Sequence, residues 1–275
     1  MSLVRATSSE LTKQFTTSMW WILGIVLFLY VGVTAAGIAG TFGALASGAI
    51  GPEASTTPPP PADGLPPLIY SLATSVGYVF PLLLGALLVT GEFRHQTLTP
   101  TFLATPRRGI ALGGKVIAGA VVGVLYAVIG IAASVGAGAG LLAAFGIETQ
   151  IGAADTWALI GRMVIAFVLW TLIGIGVGTL VRNQVATIVG VLAFTQFVEP
   201  ILRVVGGFVD GLSSVTRYLP GAASDALVGS SFFGMFGGAG GVEPLEWWVG
   251  GLLLLGYAAV FLLLGWLFSW RRDVS

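Results

Sequence analysis

Residues 109–115 contain a pattern that resembles a phosphate-binding loop. Gly109, Gly114 and Lys115 match the spacing G-x-x-x-x-G-K, in which backbone amides and a lysine hold nucleotide phosphates. The next residue is Val116, however, where the motif needs a hydroxyl to hold magnesium. No strand is predicted before the motif, and a long apolar run follows it. We therefore reject nucleotide binding here and interpret Lys115 as a cation near a helix end.

The single histidine, His95, is the next residue that could do chemistry. The chain has no cysteine, which excludes disulfides and thiolate metal sites. No cluster of carboxylates accompanies the histidine, so we expect a polar contact at the membrane surface rather than a metal or catalytic site. No nucleophile–base pattern appears elsewhere, which makes an intramembrane enzyme the least favoured class.

Three charged residues, Arg162, Glu199 and Arg203, lie within or beside apolar runs. An ionisable side chain inside a membrane is a functional candidate by default. At about 1.5 Å per residue, Glu199 lies roughly 22 Å along a helix that starts at Gln184, and Arg203 follows one turn later, within pairing distance. The pair is either a structural closure of a helix end or part of an outer gate. Arg162 is predicted to be interfacial, with its charged end extended to water.

Polar residues are concentrated between residues 91 and 115, although charged side chains make up only 9% of the chain. Within this connection, Thr99–Pro100 is typical of a helix start and Pro106 of a helix end, which predicts a helix of about a turn and a half. Its Phe102 and Leu103 would project from the helix, and Arg107 and Arg108 would flank them. An ordinary loop explains the cations alone, whereas a capped helix with an exposed apolar pair favours docking into a groove of a partner protein.

Apolar helices must position all of these residues. Hydrophobic residues form 56% of the 275, the mean hydropathy is +0.95, and several apolar runs reach the roughly 18 residues that cross a bilayer. A soluble domain of this composition would lack polar surface. The formal net charge is zero, so no basic field attracts nucleic acid. We predict an all-α polytopic membrane protein with a single transmembrane domain over residues 1–275.

Six spans are predicted. They cover residues 18–38, 67–90, 116–143 (with a helix that could begin earlier), 157–181, a run from 184 that loses its apolar character at 199–200, and 247–270. Residues 1–17 predict an amphipathic helix on the membrane surface, with a capping box at Thr7 and Glu10. The proline-rich stretch 51–64 predicts an extended loop. Residues 206–246 predict short helices that enter the outer leaflet without crossing it.

The cations of the chain predict its orientation. One side of the predicted membrane carries Arg5, Lys13, Arg94, Arg107, Arg108, Lys115, Arg182, Arg271 and Arg272. The opposite loops are acidic, and Arg217 is their obvious cation. The excess of cations predicts that both termini and the 91–115 connection are cytoplasmic, in a multi-pass protein of the cell's inner or plasma membrane.

Two stretches of sequence resemble a known family. The stretch "SELTKQFTTSMWW" before the first span and "GEFRHQTLTPTFLATPRR" after the second are similar to those of the ABC-2 type permeases, the membrane subunits of ATP-driven exporters. The matching residues after the second span are Glu92, Arg94, Thr97, Leu103, Ala104, Thr105, Pro106, Arg108 and Lys115. The six-span layout extends the resemblance over nearly the whole chain. Gln96 departs from the glycine of many relatives, and Pro100 interrupts what is often continuous helix.

This resemblance implies a coupling site for a separate ATPase. Thr97 to Pro106 would form the coupling helix, and Glu92 and Arg94 would stabilise its approach. The implied coupling residues are Glu92, Arg94, His95, Thr97, Phe102, Leu103, Pro106, Arg107 and Arg108. Two partner ATPase subunits would bind ATP and magnesium, so this chain itself would need no cofactor or metal and would not be an enzyme.

The resemblance also implies that one chain is half of a transporter. A second copy, or a related permease, would complete a cavity that the ATPases open alternately to the two sides. An apolar cavity favours an amphipathic or lipophilic cargo such as a drug, peptide or lipid. The alternative is a secondary transporter driven by an ion gradient, with Glu199 as the protonation site. No matched pair of interrupted helices, the usual signature of that class, is evident in the sequence.

Overall fold

The chain folds as a bundle of helices. The computed structural model describes residues 2–50, 61–97, 100–101, 103, 107–206, 211–230, 232 and 245–270, and no strand occurs among them. The helices are α1 (Leu3–Thr16), α2 (Met19–Ala46), α3 (Leu65–Tyr70), α4 (Leu72–Ser75), α5 (Val79–Arg94), α6 (Arg108–Ala144), α7 (Ala154–Leu180), α8 (Gln184–Gly206), α9 (Ser213–Thr216), α10 (Pro220–Val228) and α11 (Trp247–Gly265). A 3-10 turn, Ala62–Gly64, precedes α3, and a π-helical turn, Trp266–Trp270, continues α11.

Within the described part of the chain, five helices are long and apolar enough to cross a membrane. These helices are α2, α6, α7, α8 and α11. They agree with the predicted spans 1, 3, 4, 5 and 6, and they are consistent with a multi-pass membrane protein. The prediction of an all-helical membrane protein is confirmed at this level.

The predicted second span, residues 67–90, is not one continuous helix. The segment consists of α3, α4 and α5, which are separated at Ser71 and at residues 76–78. Pro81, in the first turn of α5, has no N–H to donate to the carbonyl of Gly77, so the helical ladder cannot continue through this point. A side chain on Gly77 would also collide with the carbonyl oxygen of Ala73. The broken segment is almost entirely buried by protein, as irregular backbone at membrane depth must be.

Helix α6 begins eight residues before the predicted span. Its 37 residues make it roughly 55 Å long, which exceeds the roughly 30 Å of bilayer hydrocarbon. The extra turns at its start contain Gly109, Gly114 and Lys115, all in helical conformation. They provide a rigid platform against which α1 packs.

Helix α7 lies at the centre of the bundle, packed against α5, α6, α10 and α11. Its Phe167 and Trp170 are among the largest fully buried side chains in the described residues. The contact with α5 is very close, because a Cβ added at Gly174 would overlap the backbone carbonyl of Leu82. Small residues at such contacts let helix backbones approach in lipid.

Helix α1 forms as predicted, but its start is different. Its N-cap is Ser2, whose side chain accepts a hydrogen bond from the amide of Arg5, so the predicted capping box at Thr7 and Glu10 is wrong. Thr7 lies inside the helix and its hydroxyl donates to the carbonyl of Leu3. Glu10 is therefore free for a tertiary contact.

Short helices occur between the fifth and sixth predicted spans. Helix α10 contains the apolar piece Ala222–Val228 and ends at Gly229, whose positive φ of 86° suits glycine. Helix α9 is a single turn. Residues 51–60, 207–210, 233–244 and 271–275 lie outside the described residues, and so do the predicted features that depend on them.

Candidate functional site

Four charged side chains meet where α1, α5 and α6 converge; we call them the lysine cluster. Lys115 Nζ lies 2.6 Å from Glu10 Oε2 and 2.9 Å from Glu92 Oε1. Lys13 Nζ lies 2.8 Å from Glu10 Oε1 and 2.8 Å from Glu92 Oε1. Two ammonium groups and two carboxylates therefore alternate around one site, and their formal charges cancel.

The local sequence explains how the lysine cluster assembles. Ala6, Glu10 and Gln14 recur at intervals of four residues, and they form the buried face of α1. Gly114 lets this face approach α6, since a Cβ added there would lie 3.0 Å from the Cβ of Ala6. Lys115, the residue after this glycine, is fully buried, whereas the side chain of Lys13 is 44% exposed.

The electrostatics of the lysine cluster favour the charged forms. Burial by itself would raise the pKa of Glu10, but the charge and hydrogen bond of Lys115, together with Lys13, bring this pKa below its usual 4.5. Burial would likewise lower the pKa of Lys13, but its hydrogen bonds to Glu10 and Glu92 and their charges raise it. The cluster thus holds four ion pairs between two lysines and two glutamates, and removing Lys115 would leave buried carboxylates with only the more exposed Lys13.

This geometry agrees with the rejection of a phosphate loop at residues 109–115. The glycines are helical rather than looped, and the ammonium of Lys115 already binds two carboxylates. The sequence analysis predicted a cation near a helix end, but it did not predict the buried ion pairs of this lysine. Lys115 is a buried partner of Glu10, and Glu10 was not predicted to take part.

The predicted coupling residues continue along the chain from Glu92, which belongs to the lysine cluster. Arg94 Nη1 donates to Gln184 Oε1 over 3.4 Å, and it thereby joins the end of α5 to the start of α8. His95 is the exposed residue that ends α5, and Gln96 takes a positive φ of 54°. The amide of Thr97 then donates to the carbonyl of Glu92, which turns the chain back towards the cluster.

The next part of the 91–115 connection is described only in places. Pro100, Thr101 and Leu103 are helical, and the amide of Thr101 donates to the carbonyl of Thr97 as in an α-helix. The hydroxyl of Thr101 lies 3.4 Å from Lys13 Nζ. Leu103 is 78% exposed. The predicted roles of Thr99, Phe102, Ala104, Thr105 and Pro106 fall outside the described residues.

Arg107 and Arg108 complete the predicted coupling set. Arg107 is exposed and precedes α6, and Arg108 is the half-buried first residue of that helix. Arg182, at the start of the connection to α8, lies with its guanidinium 6.0 Å from the ring centre of Phe93. The cations near residues 91–108 and 182 therefore gather at the same end of the bundle as the lysine cluster.

A second group of buried charges lies where α8 faces α10; we call Glu199, Arg203 and Asp225 the arginine cluster. Arg203 forms an ion pair with Asp225. Glu199 Oε1 accepts a hydrogen bond from the backbone N–H of Gly221, in the first turn of α10. A carboxylate suits this position because the amides of a first helical turn lack partners.

The predicted pairing of Glu199 with Arg203 is therefore incomplete. The two residues do share one face of α8, but that face lies against Gly221 and Asp225, which share one face of α10. Within each segment the two residues are four positions apart, and this spacing is what indicated a shared helix face. The sequence did not show that the two faces pack against each other, because the two segments are far apart in the chain.

Irregular backbone in α8 itself and in the break before α5 lies beside the arginine cluster. Residues 194–198 of α8 form a π-helical turn, in which the amide of Glu199 donates to the carbonyl of Phe194. The carbonyl of Thr195 would then need the N–H of residue 200, which is a proline and has none. Tyr78, at the break before α5, donates its hydroxyl to this carbonyl over 3.0 Å.

Polar side chains attach α10 to the rest of the bundle. Ser75 of α4 donates to Asp225 Oδ1 over 3.1 Å, and Trp170 Nε1 of α7 donates to the hydroxyl of Ser224 over 3.1 Å. The ring of Trp170 also stacks on Tyr78 at 4.4 Å. The predicted interfacial residue Arg162 has its guanidinium 4.8 Å from the ring centre of Trp247.

Among the described residues, no three histidine, cysteine or acidic side chains are arranged to hold a metal ion. Both clusters join helices that are distant in sequence. No protein-family model matches this chain, and no curated protein matches it either.

Proposed function

We propose that this chain is the permease subunit of an ATP-driven exporter, coupled to a separate ATPase through residues 91–115. In this proposal six spans cross the membrane, with α3–α5 as the broken second span. Both termini and the 91–115 connection are cytoplasmic. Two copies, or one copy and a related permease, form the pathway, and two ATPase subunits bind ATP and magnesium.

The observation that carries this proposal is the lysine cluster at the base of the 91–115 connection. Glu92 begins the turn into the connection, and it binds both Lys13 of α1 and Lys115 of α6. A displacement of the connection would therefore move three helices together. A buried ion cluster of this kind specifies the relative positions of the three helices at the root of the connection.

The exposed part of the connection supports a docking role. Leu103 is a large apolar side chain that is 78% exposed, on a helical segment next to the cationic residues Arg107 and Arg108. A short helix with an apolar projection fits a groove on a partner. The cargo is proposed to be amphipathic or lipophilic, since the bundle is rich in apolar side chains.

The test is ATP hydrolysis by the complex of this chain with its ATPase. Leu103→Asp, Phe102→Asp and Arg94→Ala should each reduce co-purification of the ATPase, or uncouple its turnover from transport. Ile151→Asp is the matched control, because Ile151 is also an exposed apolar residue but belongs to the connection between α6 and α7 at the other end of those helices. It should leave assembly and turnover unchanged.

Two results would contradict the proposal. One is a complex whose assembly and turnover survive all three changes in the connection. The other is uphill transport by the chain alone in liposomes without nucleotide; if a proton gradient drove that transport, the secondary transporter would be the better assignment.

A further inference from the structure

Helix α8 contains one backbone carbonyl that its own helix cannot satisfy. Residues 194–198 form a π-helical turn. The N–H of Glu199 donates to the carbonyl of Phe194 rather than to that of Thr195. The next residue, Pro200, has no N–H. The carbonyl of Thr195 therefore depends on a donor from outside the helix.

Tyr78 is that donor, and its position is fixed by other helices. Its hydroxyl donates to the carbonyl of Thr195 over 3.0 Å, and both residues are buried. Its ring stacks on Trp170 of α7, with the ring centres 4.4 Å apart. The preceding residue, Gly77, is confined by α2, because a Cβ added there would lie 3.0 Å from Val31 Cγ2. Tyr78 is thus held by α2 and α7, independently of α8.

The π-turn decides which side chains of α8 face α10. It contains one residue more than an α-helical turn, so an uninterrupted α-helix would rotate the following residues by about 100°. Val198 and Leu202, which are now exposed, would then take the places of Glu199 and Arg203. Two apolar side chains cannot make the polar contacts of the arginine cluster.

The two helical patterns leave different carbonyls without a backbone donor. In the π-turn it is the buried carbonyl of Thr195. In an uninterrupted α-helix it would be the carbonyl of Gln196, which would need the N–H of Pro200. The hydroxyl of Tyr78 stabilises the first pattern only. It therefore favours a π-turn that would otherwise be rare.

Helix α5 joins this contact to the 91–115 connection. It begins directly after Tyr78, and its 16 residues are roughly 24 Å long. Glu92 of the lysine cluster and Arg94, which donates to Gln184 of α8, lie at its other end. Helix α5 therefore holds α8 at both ends, and a displacement of the connection reaches Tyr78 through one continuous helix.

We propose that Tyr78 is a positioning residue whose hydroxyl holds the π-turn of α8 and thereby presents Glu199 and Arg203 to α10. When the hydroxyl leaves Thr195, the turn reverts to α-helix and the outer part of α8 rotates away from α10. The register of α8, meaning which of its residues face α10, is then under the control of α5.

The first test is disulfide cross-linking of the chain alone in lipid nanodiscs, which is free of background because the sequence contains no cysteine. A Cβ added at Gly206 would lie 3.1 Å from the Cβ of Thr216, so the pair Gly206→Cys with Thr216→Cys reports the π-turn register. The pair Val205→Cys with Thr216→Cys reports the α-helical register, in which Val205 takes the place of Gly206. Tyr78→Phe should lower the ratio of 206–216 to 205–216 product roughly tenfold, about the effect of one lost hydrogen bond to a buried carbonyl.

Two further variants separate register from general stability. Tyr126→Phe is the matched control, since the buried Tyr126 also donates its hydroxyl to a carbonyl, that of Trp20, over 2.7 Å. It should leave the ratio unchanged. Deletion of Val198 removes the extra residue of the π-turn, so it should restore the 206–216 product in Tyr78→Phe. A mere loss of stability would not be repaired by removing a residue.

Three outcomes would overturn the proposal. One is an unchanged ratio in Tyr78→Phe. Another is an equal fall in Tyr126→Phe, which would show that any lost tyrosine hydroxyl has this effect. The third is a failure of the Val198 deletion to restore the 206–216 product, which would show that Tyr78 does not act through the register.

Control by α5 rests on the exporter proposal, and it has its own test. In the complex with the ATPase, a non-hydrolysable ATP analogue should shift the otherwise unchanged chain towards the 205–216 product. An unchanged ratio in a complex that hydrolyses ATP would overturn this control. If no ATPase binds the chain, the exporter proposal fails, whereas the effect of Tyr78→Phe on the isolated chain still decides whether Tyr78 holds the π-turn.

Discussion

The two charged clusters differ in the groups that they bring together. The lysine cluster has two cations and two anions, and Glu10 and Lys13 titrate further from neutrality than usual. The arginine cluster has two carboxylates and one guanidinium among the described residues. The first cluster joins α1, α5 and α6 at the ends of helices, whereas the second lies about 22 Å along α8.

This difference indicates different attachments. The lysine cluster consists of side chains alone, and it joins α1 and α5 to α6, a long continuous helix. The arginine cluster also uses a backbone N–H of α10, a short helix of 9 residues.

The largest effect is expected from Lys115→Met. The change leaves Glu10 and Glu92 buried with only the half-exposed Lys13, so the folded state should lose about 3–5 kcal/mol. Thermal unfolding in detergent and the yield of monodisperse protein measure the loss. The double variant Lys115→Met with Glu10→Gln should recover part of it.

The matching change in the arginine cluster should have a smaller effect. Glu199→Gln keeps a side-chain oxygen that can accept the hydrogen bond from Gly221, and it leaves the ion pair of Arg203 with Asp225 in place. If Glu199→Gln destabilised the protein as much as Lys115→Met, the distinction between a cluster of side chains and one that includes a backbone N–H would be wrong.

Two glycines beside the clusters should give intermediate effects. A Cβ added at Gly221 would lie 2.5 Å from Glu199 Oε1, so Gly221→Ala should displace this carboxylate and destabilise by about 1–3 kcal/mol. Gly114→Ala meets α1 at 3.0 Å and should cost less. Gly140→Ala, in α6 with open space around it, is the control and should be neutral or slightly stabilising. A different order in thermal unfolding would contradict these contacts.

The contact of α1 with the lysine cluster should depend on pH. The pKa of Glu10 is lower in the folded protein than its usual 4.5, so its contribution to stability is present above 4.5 and is lost as pH falls below it. Acid should therefore release α1, and hydrogen exchange in peptides of Leu3–Thr16 measures this release. Glu10→Gln should remove this acid sensitivity. Equal acid sensitivity of α1 in the wild type and in Glu10→Gln would show that another group releases the helix.

The smallest effect is expected from Lys13→Met. The side chain of Lys13 is 44% exposed, so water screens its two ion pairs and the loss should be below about 1 kcal/mol. Comparison with Lys115→Met then isolates the effect of burial, since both lysines contact the same two carboxylates. Stability of the wild type should also decrease slightly with added salt. A loss at Lys13 equal to that at Lys115 would show that exposure does not control these contacts.

Much of the helical framework could be predicted from sequence. Apolar runs of the right length predicted α2, α6, α7, α8 and α11, because a bilayer requires such runs whatever the tertiary arrangement. The break in the second predicted span was missed. Pro81 is visible in the sequence, but irregular backbone at membrane depth is tolerated only where other helices bury it, and the sequence does not show that burial.

The site residues divide in a similar way. Glu92 and Arg94 were singled out because they stand in a polar connection, and both make contacts at the ends of helices. Glu10 and Asp225 were missed because each lies in a segment that suggested only local structure. Their partners, Lys115 and Arg203, are more than 20 residues away, and no local spacing records such a pairing.

The sequence by itself determined that this chain is a set of apolar helices with a polar connection over residues 91–115, because hydropathy and proline act locally on the backbone. Only the tertiary structure decided which charges meet. The association of Lys115 with Glu10, and of Asp225 with Arg203, depends on which helix faces pack together. Packing depends on the combined shapes of many side chains. The pairing of charges in each cluster is therefore a property of the fold and not of any single segment.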